Sequence, residues 1–309
     1  MMHPSGHELD LASSRKEGYS IMIFDIFSEM NNPDYSFPFN ILKDTFDGDY
    51  PEHMHDSIEM SFVIDGEATH VIGKNSKKVK KGDVIIILCP INHRFLDMKN
   101  FTRYSLRFDL EKLISLSDDI KRFPGFHSLF FIEPAYLYDN NYIGGFTLSE
   151  DQYKYSVSIM DIMYDAFNLK HDGYKTIIKT HLVALMTYIS HCYNPAMEAV
   201  PDKLYRISES VSYIEKNYSE KITVNELASI AHLSERQYNR IFKSIYGITP
   251  NIYLIKVRLN KSCRLLESQD LTIQYISRIC GFYDNTYYIK QFKRYFSITP
   301  GEYRKNQAK

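Results

Sequence analysis

Two groups of side chains in this 309-residue chain have types and spacings that could do chemistry. The first is His53-x-His55-x3-Glu59, with His93 further along. His53, His55 and Glu59 are all odd-numbered, so on an unbroken strand they project from one face. Ile58, Met60, Phe62 and Ile64 take the other. Three imidazoles and a carboxylate can ligate a metal ion, or they can line a pocket for a polar ligand. The pocket is the preferred reading, and no metal or other cofactor is assigned. No phosphate-binding loop and no Ser/His/Asp set with recognisable local context accompanies them, so no catalytic residue is assigned and the chain is read as a non-enzyme.

The second group lies in residues 203–309. Arg236, Asn239 and Arg240, flanked by Glu235 and Lys243, fall outside an inward stripe of Leu233, Tyr238, Ile241 and Phe242. Fifty residues later Asn285, Thr286, Ile289, Lys290 and Lys293 stand outside Tyr288 and Phe292 in the same way. Arginine can pair with guanine O6/N7 and asparagine with adenine N6/N7. Arg236, Asn239, Arg240, Asn285, Thr286 and Lys290 are therefore base-reading candidates. Ser234, Lys243 and Lys293 are assigned to phosphates, contacts that set register without reading sequence.

Charge supports this division. Residues 203–309 carry 18 Lys and Arg against 9 Asp and Glu, whereas residues 1–202 carry 19 against 29. The near-zero net charge of −1 thus hides a basic module for a polyanion and an acidic module with another task. The run Lys77-Lys78-Val79-Lys80-Lys81 lies in the acidic half beside a turn and reads as a solvated hairpin. With 44% hydrophobic residues the chain can bury real cores. No apolar run approaches a membrane span, and the first twenty residues lack an apolar signal core. Cys89, Cys192, Cys263 and Cys280 are far apart and read as free thiols. A soluble cytoplasmic protein is expected.

The elements that must position these residues change character along the chain. Residues 21–27, 58–64, 84–88 and 104–108 are short apolar or β-branched runs. Turn signals separate them at Asp47-Gly48-Asp49, Asp65-Gly66, Gly73-Lys74-Asn75 and Lys81-Gly82-Asp83. Such spacing predicts a sandwich or barrel over residues 1–149. Tyr153, Val157, Met160 and Tyr164, then Ile178, Leu182, Leu185 and Ile189, recur at helical spacing. They predict a helical pair over 150–193, packed on the barrel or serving as a dimer contact. Residues 194–202, with Pro195 and Pro201, form the expected linker.

The last hundred residues repeat. Phe242-Lys-Ser-Ile-Tyr-Gly-Ile-Thr-Pro250 with Tyr253 returns as Phe292-Lys-Arg-Tyr-Phe-Ser-Ile-Thr-Pro300 with Tyr303. Each copy has the outline of a helix-turn-helix. Thr223 caps a short helix, and Ser234 with Gln237 forms a capping box on the next. In the second copy Thr272 starts the short helix, the chain turns at Gly281-Phe282, and it resumes after Asp284. A helix over 251–268, roughly 27 Å long, joins the copies and holds two reading heads near one turn of DNA apart, about 34 Å.

These residues carry a resemblance. Ile276-Ser-Arg-Ile-Cys280-Gly281-Phe282, Tyr288, Phe292-Lys-Arg294, Thr299-Pro300 and Tyr303-Arg304 resemble the signature of AraC/XylS-type transcription regulators. Ser297 departs from it, since the family usually has glycine there, as at Gly247. Gly48-x4-His53-x-His55-x3-Glu59-x6-Gly66, with Gly82-Asp83 and Pro90-x-x-His93, resembles the two motifs of cupin β-barrels. Cupin enzymes use such a set for iron or manganese, whereas cupin-type arms of this family bind an effector and mediate dimerisation. The resemblance implies an α+β multidomain protein: a cupin-like β-barrel followed by helices, then an all-α domain (203–309) of two helix-turn-helix motifs on a linker helix. It implies a regulator of double-stranded DNA, responsive to a small polar metabolite such as a sugar through His53, His55, Glu59 and His93. A homodimer is expected, with RNA polymerase a partner if the protein activates, and no membrane. The alternative is a metal-dependent cupin enzyme with a DNA-binding appendage.

Overall fold

The structure, a computed structural model, describes residues 22–27, 34–88, 90–114, 119–140, 144–193, 202–267 and 271–307. Cys89, most of the expected linker and the polar N-terminal stretch lie outside them. Cys192, Cys263 and Cys280 are free thiols.

Seven strands form one sheet: β1 (Met22–Phe24), β2 (Phe39–His55), β3 (Ile58–Ile72), β4 (Asn75–Lys80), β5 (Asp83–Ile87), β6 (His93–Phe108) and β7 (Phe146–Thr147). The pairing path is β1-β2-β6-β3-β5-β7, with β4 hairpinned onto β3. The expected lysine-rich hairpin is that β3–β4 pair. Two expected turns are corrected. Asp47-Gly48-Asp49 and Asp65-Gly66 lie inside β2 and β3, at register shifts against β6 rather than at strand ends. Gly48 and Gly66 have φ of 81° and 72°, and such glycines serve bulges as readily as turns. A Cβ on Gly66 would fall 2.3 Å from the Asn100 carbonyl oxygen. Asp47 and Asp49 accept from the backbone N–H groups of Asn100 and Asp97, at 2.8 and 2.9 Å. They hold β6 where its own backbone is left-handed.

The alternation of strand side chains separates two cores. Met60, Phe62, Tyr104 and Leu106 join α4 (Glu150–Leu169) and α5 (Tyr174–Cys192), whose Met160, Met163, Ile178, Leu182 and Leu185 are fully buried. The helical pair therefore packs back on the sheet, the first of its two expected placements. Val63, Ile85, Ile87, Phe95 and Phe101 make a second core on the opposite face. One end of that face is polar, and it holds the histidines.

Between β6 and β7 the described residues, which carry no readable period, form helical segments: α1 (Leu110–Ile114), a turn at Ile120–Arg122, α2 (Pro124–His127), a wide π turn at Ser128–Ile132 and α3 (Glu133–Asn140). Gly125 lies so close to α5 that a Cβ would meet the Ser190 carbonyl oxygen at 2.0 Å. This segment also enters the core of the C-terminal module. Ile132 is buried with Leu204, Ile207 and Val211, and Phe131 stacks on Tyr246 at 5.6 Å.

The C-terminal module runs α6 (Asp202–Asn217), α7 (Val224–Ile230), α8 (Glu235–Tyr246), α9 (Pro250–Glu267), α10 (Ile273–Ile279), α11 (Asn285–Phe296) and α12 (Pro300–Gln307). Thr223, and Ser234 with Gln237, cap α7 and α8 as the sequence predicts, and Thr272 and Asp284 cap α10 and α11 in the same way. The repeat extends into packing. Buried Tyr238 and Tyr288 each share a hydrogen bond with a serine of the preceding long helix, Ser210 at 2.8 Å and Ser262 at 3.1 Å. Tyr253 and Tyr303 meet Phe242 and Phe292 edge-on, both at 79°.

The departure at Ser297 has a measurable consequence. Ser297 ends α11 at φ 64°, as Gly247 ends α8 at φ 70°, and a side chain in the left-handed region costs about 1 kcal/mol. Ser297→Gly should raise stability by roughly that amount in a urea melt of the full chain. A loss instead would mean that the serine makes a compensating contact.

Candidate DNA interface and effector site

The outward face of α8 is built by its cap and its buried stripe. Ser234 and Gln237 fix the first turn, and Tyr238 and Phe242 anchor the inner side. Arg236, Arg240 and Lys243 are left exposed, and Asn239 half-buried. Asn239 donates one amide hydrogen to the Glu235 carbonyl at 2.9 Å. Its side-chain oxygen and second N–H stay available for a base edge. On α11, Thr286, Lys290 and Lys293 are exposed. Asn285 is half-buried, and its Oδ1 lies out of solvent without a hydrogen-bond partner. Ile289 is corrected: it packs partly against the second unit's core instead of facing outward. Among the described residues none of these lysines and arginines is ion-paired, so their charge is free to meet a polyanion.

Arg240 has a second neighbour. A cavity of about 450 Å³ lies between α3 and α8, lined by Ala135 and Tyr136 on one side and Arg240, Ile241 and Ser244 on the other. The first reading helix thus borders the N-terminal module. Ser212 of α6 donates to the Arg122 carbonyl. His127 Nε2 lies 2.7 Å from the Lys121 carbonyl, which can only accept, so Nδ1 accepts from the Tyr246 hydroxyl at 3.2 Å. Burial pushes the His127 imidazole down to about 4.

The structure brings together all four residues of the first group. His53 and His55 end β2, Glu59 begins β3 and His93 begins β6. All are buried, and one potential ligand atom from each lies within 4.8 Å of the others. They do not share an unbroken strand. β6 lies between β2 and β3, His53 pairs with His93, and Glu59 pairs with Arg107. The odd face is preserved because the turn Asp56-Ser57 spans two residues.

Four supporting side chains escaped the sequence reading. Glu59 Oε1 accepts from Arg103 Nη1 at 3.0 Å, Ser105 Oγ at 2.8 Å and Ser61 Oγ at 3.2 Å. His70 Nε2 lies 3.3 Å from His93 Nδ1. The alternation Arg103-x-Ser105-x-Arg107 among apolar residues is the signal that could have exposed part of this set. Burial pushes the Glu59 carboxyl up, but the Arg103 guanidinium and the His55 contact outweigh it and hold it well below the usual range. Burial pushes the His53 and His70 imidazoles down, to about 4 and about 3, and holds His93 well below its ordinary value. At neutral pH His53, His70 and His93 are neutral imidazoles beside the Glu59 carboxylate. A space of about 20 Å³ lies against His53, His55 and Glu59, walled by Phe24, Phe46 and Tyr50; His93 does not line it.

Comparison with known proteins assigns both modules. Residues 44–143 match the family model of the AraC-like ligand binding domain, and residues 227–306 match that of a helix-turn-helix domain. The chain belongs to the AraC family of transcription regulators. As a member it is a DNA-binding regulator with a ligand-binding domain. It is 25% identical to the transcriptional activator RhaS of Escherichia fergusonii over 262 residues, 84% of this chain and 89% of RhaS. The probable transcriptional regulator LumQ of Photobacterium leiognathi is 32% identical over 93 residues, 30% of this chain and 38% of LumQ. Among solved structures, an AraC-type regulator from Chromobacterium violaceum shares 32% identity over 34% of this chain and 93% of its own, with a TM-score of 0.32. No described helix is long and apolar enough to cross a membrane.

Proposed function

We propose that this AraC-family regulator sets α8 and α11 in successive major grooves of one duplex face and answers to a small polar metabolite held in the sheet. The single observation that carries the DNA part is the pair of basic, unpaired faces on two capped second helices. Arg236, Asn239, Arg240, Asn285, Thr286 and Lys290 read bases, and Ser234, Lys243 and Lys293 hold phosphates. His53, His55, Glu59 and His93 contact the effector, for which a sugar is the leading class. Their buried nitrogens and carboxylate offer hydroxyl groups the partners they lack. A space of about 20 Å³ holds an ion or one water, so a sugar enters only when the wall of Phe24, Phe46 and Tyr50 moves outward.

The regulator acts by binding and has no catalytic residue. It works in the cytoplasm as a homodimer. Tyr155, Ile162 and Leu169 support this: they are 49%, 45% and 63% exposed and recur every seven residues along α4, an apolar stripe left over after α4 has covered the sheet. RNA polymerase is the further partner if the protein activates, as its relative RhaS does by name.

The test is a melt of the full chain with a panel of sugars and related polyols, run beside a reporter of the regulated promoter. The cognate compound should raise the melting temperature by mass action, and His55→Ala/Glu59→Ala should abolish both the shift and the reporter response. Full response in the double variant would place the effector elsewhere. Turnover of the compound by metal-loaded protein would favour the enzyme reading.

A further inference from the structure

We infer that the cavity between the end of the sheet and the π turn is a second ligand site, outside the histidine cluster. It takes a small amine with an aromatic body and reports its occupancy to the first reading helix through Phe131. The cavity measures about 630 Å³, within the size range of sites for small organic ligands. The space beside the histidines holds only an ion or one water. The cavity lies on the other face of the sheet. Ile58 and Phe108, which line it, pair directly across β3 and β6, and their even-numbered neighbours Met60 and Leu106 enter the core beneath α4 and α5.

The wall supplies two kinds of recognition. Phe27 and Tyr35 meet edge-on at 4.9 Å, and Phe108, Phe130 and Phe131 continue the aromatic lining. Three charged side chains border it. Lys112 Nζ lies 3.2 Å from Asp109 Oδ2, and the Lys112 backbone N–H donates to Asp109 Oδ1 at 3.0 Å, so that pair cancels. Asp56, in the turn between β2 and β3, is exposed and is ion-paired to nothing among the described residues. One uncompensated carboxylate beside aromatic rings selects a cation whose body stacks, because ring faces attract ammonium groups as the carboxylate does. An anionic ligand would find neither attraction.

The π turn gives occupancy a route outward. It places Phe130 in the sheet core, 1% exposed, and sets the next ring, Phe131, against both the sheet core and the first helix-turn-helix. Phe131 stacks on Tyr246 at 5.6 Å and 26°. Tyr246 is the last residue of α8, with its hydroxyl on His127. Such π turns are rare and frequent at functional sites. A ligand against Phe131 thus shares a wall with the residue that fixes the end of the reading helix.

The experiment titrates the full chain with tryptamine, and with indole-3-acetate as its anionic counterpart. The chain has no tryptophan, so exciting the indole reads the ligand alone by fluorescence anisotropy. We expect a Kd below about 1 mM for tryptamine and binding about tenfold weaker for indole-3-acetate. Asp56→Asn should weaken tryptamine about two- to fivefold, and Asp56→Lys should invert the order of the two compounds. Saturating tryptamine should change operator affinity by about fivefold or more. Tyr246→Phe, which keeps the ring, should keep that response, and Tyr246→Leu should lose it while still binding tryptamine. No tryptamine binding by folded chain, equal binding of both compounds, or indifference to Asp56→Lys overturns the site. Unchanged operator affinity at saturation, or a full response in Tyr246→Leu, overturns the relay. No sugar is added and none of these residues belongs to the histidine cluster, so failure here leaves the effector reading as it stands.

Discussion

Raising the salt from 50 to 200 mM should weaken binding of the full chain to its operator by roughly three orders of magnitude, as about six phosphate contacts require. The expectation rests on the excess of basic residues in the C-terminal module and on the unpaired state of those on α8 and α11. Within that total, single substitutions should separate positioning from reading. Lys243→Ala should weaken all sequences alike and flatten the salt slope by about one. Arg236→Ala and Asn239→Ala should cost about 1–3 kcal/mol on the cognate site and relax preference at particular base pairs. Fluorescence anisotropy on the cognate site and a scrambled one, across a salt series, measures all three. The assigned roles fail if Lys243→Ala changes base preference while the other two do not. Arg240→Ala carries an extra reading, because Arg240 also borders the cavity beside Tyr136. Its effect should depend on the N-terminal module where that of Arg236→Ala does not.

The DNA-binding half was legible because its signals are local. A cap such as Ser234 with Gln237 acts over three residues, and the repeat showed which aromatic residues face inward before any packing was known. The histidine cluster was legible for a narrower reason. Alternation put His53, His55 and Glu59 on one face, and a two-residue turn preserved that parity although the residues stand on different strands. Its supports were not legible. Arg103 and Ser105 lie 44 and 46 residues from Glu59, and His70 lies 23 from His93. Only the strand order, with β6 between β2 and β3, makes them neighbours. Gly48 and Gly66 misled because a left-handed glycine serves a bulge and a turn equally well. Residues 120–140 hid their helices because the segment is buried between two modules and a π turn at Ser128–Ile132 shifts its period. No single apolar stripe survives such an environment.

Arg103→Met should destabilise the N-terminal module by about 3–5 kcal/mol, the usual cost of leaving one partner of a buried ion pair uncompensated. Arg103 and Glu59 are 7% and 1% exposed, with Nη1 and Oε1 3.0 Å apart. Methionine retains much of the apolar contact that the arginine makes over Phe95, so the loss reports charge more than packing. If the carboxylate is the cause, removing it as well should help. Glu59→Gln/Arg103→Met should be clearly more stable than Arg103→Met alone, because the amide can still accept from Ser105 and Ser61 without a charge to balance. Thermal melts of metal-free full-length chain, following the transition of the N-terminal module, provide the comparison. A single substitution costing less than about 1 kcal/mol would show that Glu59 is not ionised or that water reaches it. A double variant no better than the single would assign the loss to packing.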